Sequence, residues 1–178
     1  VRLHFVRSAS FCANLSKAID TMTLLDILSP SSTIVGLRAD SKEGIIRELV
    51  ESLEEGDAIS DREKVLHSVL ERENIMSTGI GDGIAIPHGK SDAVVKLAAA
   101  LGTHKRGVDF EALDGEPAFV FFLLVSPANI SGPHIKALAR ISRLLKNDDF
   151  KKSLIDASTA EEIVAAIAKE EKNHPPSR

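Results

Sequence analysis

Apolar residues recur along this chain at two spacings, and the switches between them outline its elements. Ile45, Ile46, Leu49, Val50 and Leu53 stand at helical intervals behind Ser41, a good N-cap residue type, with Glu43 close after it. Val65, Leu66, Val69 and Leu70 repeat the pattern in a second helix beginning at Ser60. Thr33–Leu37, Leu97–Gly102 and Ala118–Val125 read as strands, and Ile84–Ile86 as a short strand inside a glycine-rich loop. Thr23–Leu28 reads as a brief helical turn ended by Ser29-Pro30, and Phe110–Gly115 supplies turn chemistry. The last third is helical throughout: Pro133–Lys146, Asp148–Ile155 and Thr159–Glu170. The third of these is introduced by a capping box, Ser158/Thr159 ahead of Glu161/Glu162. Strands separated by amphipathic helices predict an α/β layered domain with a mixed sheet.

Composition narrows what such a domain can do. Its 178 residues suit a single core. With seven Phe and neither Trp nor Tyr, that core is aliphatic, and stacking platforms for single-stranded nucleic acid are scarce. A net charge of −4 gives no general attraction to DNA, RNA or anionic lipid. The longest apolar run is strand-sized, which argues against direct membrane insertion. Cys12, the one cysteine, can form neither an internal disulfide nor a thiolate cluster. The chain reads as soluble and cytoplasmic. Residues 1–21 differ from the rest, with Arg2, Arg7 and Lys17 against Asp20 alone; they read as an extension outside the fold. The globular unit is expected over 22–170, followed by a frayed tail at 171–178.

The segment Ser77–Lys90, STGIGDGIAIPHGK, suggests a phosphate loop at first sight. It fails as a Walker A motif, because five residues separate Gly83 from Gly89 and Pro87 removes a backbone donor from the cradle. It fails as a dinucleotide fingerprint because Ile84 stands where the third glycine belongs. What remains is His88, at the end of a short strand and flanked by glycines. An imidazole is nucleophilic and largely neutral near pH 7, so it can accept a phosphoryl group without a separate base. Backbone N–H groups of the glycine segment could then bind the product as an anion nest. A turn histidine that merely meets solvent is the plainer alternative.

His134 follows Ser131-Gly132-Pro133, a helix start, and aligns with Leu138, Ile141 and Leu145 rather than with the expected solvated face of Lys136, Arg140 and Arg143. The positive end of a helix dipole keeps such a ring neutral and attracts anions. Arg72, ahead of the glycine loop, is a third candidate, since its planar fork pairs well with phosphate. The alternatives are a core histidine closing a helix and a surface arginine between two glutamates. A metal-dependent hydrolase using His88, His134 and Asp82 is a remote alternative, because their spacing is no local ligand motif.

Two segments, Ser77–Lys90 and His134–Ile141, with Gly107–Phe110 and Leu113–Gly115 between them, resemble a known family. It is the enzyme IIA (EIIA) domain of the phosphoenolpyruvate phosphotransferase system, of the fructose, mannitol and nitrogen-regulatory type. The pairing of a Pro-His-Gly segment with a histidine 46 residues downstream is specific. The resemblance implies a three-layer α/β domain, its mixed sheet flanked by helices on both faces and its site at one edge. It implies that His88 is phosphorylated by a histidine-containing phosphocarrier of the HPr or NPr kind, with His134 and Arg72 as its site partners. It implies no cofactor and no metal. The phosphate would serve either a nitrogen-regulatory role, through regulated target proteins, or sugar uptake, through transfer to an EIIB. The regulatory role is the expected one, and the receiver is expected to be a separate chain.

Overall fold

The computed structural model describes residues 22–175. The extension expected at 1–21 lies outside the described residues. In chain order the elements are β1 (Leu28–Val35), α1 (Lys42–Glu55), α2 (Arg62–Ile75), β2 (Gly79–Gly81), β3 (Ile84–Ala85), β4 (His88–Lys90), β5 (Ala98–Val108), β6 (Ala118–Ser126), α3 (Gly132–Leu144), α4 (Asp148–Asp156) and α5 (Ala160–Asn173). Six strands form one mixed sheet in the order β1-β5-β6-β3-β2, with β4 also pairing with β6. The β5–β6 pair is antiparallel, while β1 lies parallel to β5, and β3 and β4 lie parallel to β6.

The continuous apolar run of β6 is explained by its central place, because both of its faces are buried. Phe121, Leu123 and Val125 point into one core with the apolar stripes of α1 and α2. Val120, Phe122 and Leu124 point into a second core with Ala137 and Ile141 of α3, Leu154 of α4, and Ile163 and Ile167 of α5. The three-layer α/β arrangement therefore holds, with two helices on one face and three on the other. Among the described residues no helix is long and apolar enough to cross a membrane.

Local signals placed the helices well. Ser41 caps α1 by accepting from the Gly44 N–H, and Thr159 caps α5 by accepting from that of Glu162. The Glu162 carboxylate reciprocates onto the Ser158 N–H at 2.7 Å. Asp61, one residue beyond Ser60, caps α2. The strands differ more. Only Leu24–Asp26 forms a helical turn, of the 3-10 kind, and Leu28 already belongs to β1. Between the pairs Leu28↔Ala99 and Thr33↔Leu101, β1 carries three extra residues. Pro30 is accommodated in this bulge, which the Ser29 and Ser32 hydroxyls stitch together; Ser32 also bonds the Ala99 carbonyl at 2.9 Å. β5 continues to Val108, past the expected end at Gly102.

Two further differences lie in the second helical layer. Arg140, expected on the solvated face, is buried and paired with Glu171 at 2.8 Å. The same Glu171 oxygen accepts the Leu24 N–H at 2.7 Å. Helix α5 accordingly continues three residues past position 170, because Glu170 and Glu171 are buried and bonded there, Glu170 to Asn147 at 2.9 Å.

Candidate active site

His88 opens β4, a separate strand after Pro87, rather than closing the strand that begins at Ile84. Its register neighbour on β6 is Leu124, so its ring stands on the α3 side of the sheet. Gly89 turns the other way, against α2. A Cβ there would meet Val69 Cγ2 at 2.9 Å and Ser68 Oγ at 3.1 Å, so glycine is what lets β4 lie tight under that helix. The Ser68 hydroxyl clamps the Lys90 carbonyl at 2.6 Å and completes the seat.

Both ring nitrogens of His88 are engaged. Nδ1 lies 2.9 Å from the Ile86 carbonyl, and Nε2 lies 3.1 Å from Arg72 Nε. A carbonyl can only accept and a guanidinium N–H can only donate. The neutral ring therefore carries its proton on Nδ1 and directs the Nε2 lone pair at Arg72. Burial is the main force lowering the His88 pKa; the bond to Ile86 opposes it, the Arg72 charge adds to it, and Glu73 works against it. Arg72 sits in the last turn of α2, where Nη1 also bonds the Met76 carbonyl at 3.0 Å.

The His134 ring centroid is 5.7 Å from that of His88, tilted by 57°. It lies in the first turn of α3 and is buried, with Nδ1 2.9 Å from Ser126 Oγ. Burial, then the charges of His88 and Lys90, push its pKa down to about 4, so the ring is neutral at ordinary pH. The fold thus brings His88, His134 and Arg72 together from β4, α3 and α2. Asp82 is not part of this group. Among the described residues there is no cluster of three or more His, Cys, Asp or Glu side chains able to hold a metal ion.

The glycine nest is corrected as well. Gly81, Asp82 and Gly83 all have positive φ, but they form the turn of a β2–β3 hairpin. The Asp82 N–H there is occupied by the Asp114 carboxylate at 2.8 Å. Hydrogen bonds from the Asp82 and Glu116 N–H groups hold that carboxyl below its usual pKa. The anion filling this turn is the chain's own.

Sequence reasoning missed the groups that support the three candidates. Glu73, beside Arg72, is buried, accepts from Thr78 N at 3.0 Å and pairs with Lys42 at 2.9 Å. Burial disfavours the Lys42 ammonium, but bonds to Glu73 and Glu111 outweigh it and raise its pKa. This cluster ties the end of α2 to the start of α1 and fixes the turn that carries Arg72. Glu71, on the other side of Arg72, is exposed and pairs with His67 instead. Lys90 reaches Ser131 Oγ at 2.8 Å, ahead of α3. Its place two residues after His88 on a strand was a readable signal. Ser126 carried no such signal, since the partner that defines its role lies on another element.

A family model described as "Phosphoenolpyruvate-dependent sugar phosphotransferase system, EIIA 2" matches residues 8–170. The chain belongs to that family. As an EIIA it is a phosphoryl-accepting component of a phosphotransferase system. It is 35% identical over 151 residues to the fructose-specific EIIABC component of Bacillus subtilis, covering 85% of this chain and 24% of that protein, so it spans about a quarter of that relative's length. It is also 35% identical over 147 residues to the nitrogen regulatory protein of Bradyrhizobium diazoefficiens, covering 83% of this chain and 95% of the relative. The crystal structure of the nitrogen regulatory protein IIA-Ntr from Neisseria meningitidis superimposes with a TM-score of 0.74 at 30% identity, covering 80% of this chain and 97% of that one.

Proposed function

We propose that His88 accepts the phosphoryl group, on Nε2, from a histidine-containing phosphocarrier, and that the phosphorylated and free forms of this EIIA act as a nitrogen-regulatory signal. The observation that carries this reading is the pair of opposed bonds on the His88 ring, which leaves a lone pair on Nε2 and a proton on Nδ1. In the transfer the Nε2 lone pair forms a new N–P bond as the carrier's N–P bond breaks, and that electron pair returns to the carrier's ring. His88 keeps its Nδ1 proton on the Ile86 carbonyl, which stabilises the charge the ring gains. Arg72 and Lys90 are cations on either side of two neutral rings, and the start of α3 adds its dipole. Such a setting favours a dianion without a metal. The protein's share of the work is positioning and charge stabilisation.

Large apolar side chains are exposed beside the site: Ile75 and Met76 just after Arg72, and Ile135 just after His134. They suit the docking of a carrier that must bring its own histidine in line. The reacting unit is 22–170 together with the last turn of α5. The similarity to nitrogen regulatory proteins, in sequence and in structure, supports the signalling role. The second reading, a fructose- or mannitol-type EIIA that passes phosphate to an EIIB, is favoured by the equally similar fructose-specific relative.

Incubation with phosphoenolpyruvate, enzyme I and a phosphocarrier tests the first claim. One acid-labile phosphate is expected on His88 by mass spectrometry, and none in His88→Ala. An acid-resistant phosphate on Ser or Thr, or unchanged labelling of His88→Ala, overturns it. Co-purification with a permease EIIB shifts the role to sugar uptake.

A further inference from the structure

We propose that Ser126 is a positioning residue that fixes the tautomer of His134, so that His134 presents an Nε2–H to the phosphoryl group carried by His88. The proposal rests on the reading of His88 as acceptor. Ser126 ends β6 directly opposite Lys90 of β4, in the register that places Leu124 opposite His88. Its side chain is wholly buried, and its hydroxyl lies 2.9 Å from His134 Nδ1. Among the described residues that nitrogen is the hydroxyl's one hydrogen-bond partner.

Two arrangements fit a neutral ring at this distance. In one, Nδ1–H donates to the serine, so the buried hydroxyl hydrogen has no acceptor and Nε2 presents a lone pair. In the other, the serine donates to Nδ1 and the ring proton sits on Nε2. A buried donor left without an acceptor costs about 1–3 kcal/mol, which selects the second arrangement. Electrostatics select it too, because an N–H next to phosphoryl oxygens attracts them whereas a lone pair repels them. The two rings of the site are then complementary. His88 has Nδ1 protonated by virtue of a carbonyl acceptor, and its Nε2 is the nucleophile. His134 has Nδ1 unprotonated by virtue of a hydroxyl donor, and its Nε2–H is the phosphoryl ligand.

The test needs the full chain, 15N-labelled, in long-range proton–nitrogen NMR spectra near neutral pH. The expected wild-type spectrum has the His134 proton on Nε2, and Ser126→Ala is expected to give a mixture of tautomers. Phosphoryl transfer from phosphorylated carrier to Ser126→Ala is expected to slow by about tenfold, the worth of one good hydrogen bond, with phosphate still forming on His88. Ser126→Thr, which keeps the hydroxyl, is expected to restore both tautomer and rate. A wild-type His134 protonated on Nδ1 overturns the proposal, and that result requires no variant to fold. An unchanged tautomer and rate in Ser126→Ala also overturns it. Absence of phosphate from wild-type His88 would instead refute the acceptor assignment, while the tautomer measurement would still stand on its own.

Discussion

Replacing Arg72 with alanine removes the side chain that donates to the Nε2 of His88, so it tests the site's electrostatic logic directly. With Arg72 Nε at 3.1 Å from Nε2, a phosphoryl group on that nitrogen must lie against the guanidinium. Unit charges at about 4 Å interact by about 4 kcal/mol at an effective dielectric constant of about 20, before desolvation is subtracted. Measured hydrogen bonds to charged groups, which include that subtraction, are worth about 1.5–3 kcal/mol and give the better bound. Arg72→Ala should therefore lower the rate and extent of phosphorylation by about 10- to 150-fold. Arg72→Lys, with the charge but not the planar fork, should fall between. A second effect has a definite sign. After burial, the Arg72 charge is what holds the His88 pKa down, so its removal raises that pKa. A protonated His88 has no lone pair to attack with, and the acid limb of the rate profile should move to higher pH. Rapid-quench transfer from phosphorylated carrier across the neutral and mildly acidic range measures both effects. Transfer within about twofold of wild type, with an unmoved acid limb, would refute the account of Arg72.

Two structural predictions accompany it. The His134 pKa is about 4 in the fold, against about 6.5 when unfolded, so between these values only the unfolded chain takes up the proton and stability falls as the pH drops. His134→Gln should flatten that slope in denaturant titrations run at several pH values, leaving the smaller part due to His88; an unchanged slope would contradict the burial argument. Gly89→Ala should destabilise the fold by about 1–3 kcal/mol and slow phosphorylation, because its Cβ would meet Val69 and Ser68 and push β4 off α2. Urea unfolding and the phosphorylation assay check this, and a fully stable, fully active variant would show that β4 has room to spare.

Legibility in the sequence followed the range of the interactions. Helix starts were readable because a cap is a contact between residues three apart, as in Ser41 with Gly44 and Thr159 with Glu162. The Asp82-Gly83 pair is a hairpin signal of the same local kind, overlooked because the glycines around it suggested an anion nest for a phosphoryl group. Arg140 is the opposite case. Its neighbours along α3 resemble a solvated face, and it is Glu171 and the His174 carbonyl, from the far end of the chain, that make burial tolerable. Glu73 is similar, since its position beside Arg72 reads as surface until Lys42 arrives from α1.

By itself, then, the order of residues determined the helices, the central strand and the identities of the reactive groups, since these follow from periodicity, capping and side-chain chemistry within a few positions. The tertiary structure decided what those groups can do. It brought Arg72 to the Nε2 of His88, set Ser126 against His134 and filled the glycine turn with Asp114. Protonation state, tautomer and charge environment depend on what lies across a few ångströms of space, and folding draws those partners from segments far apart along the chain.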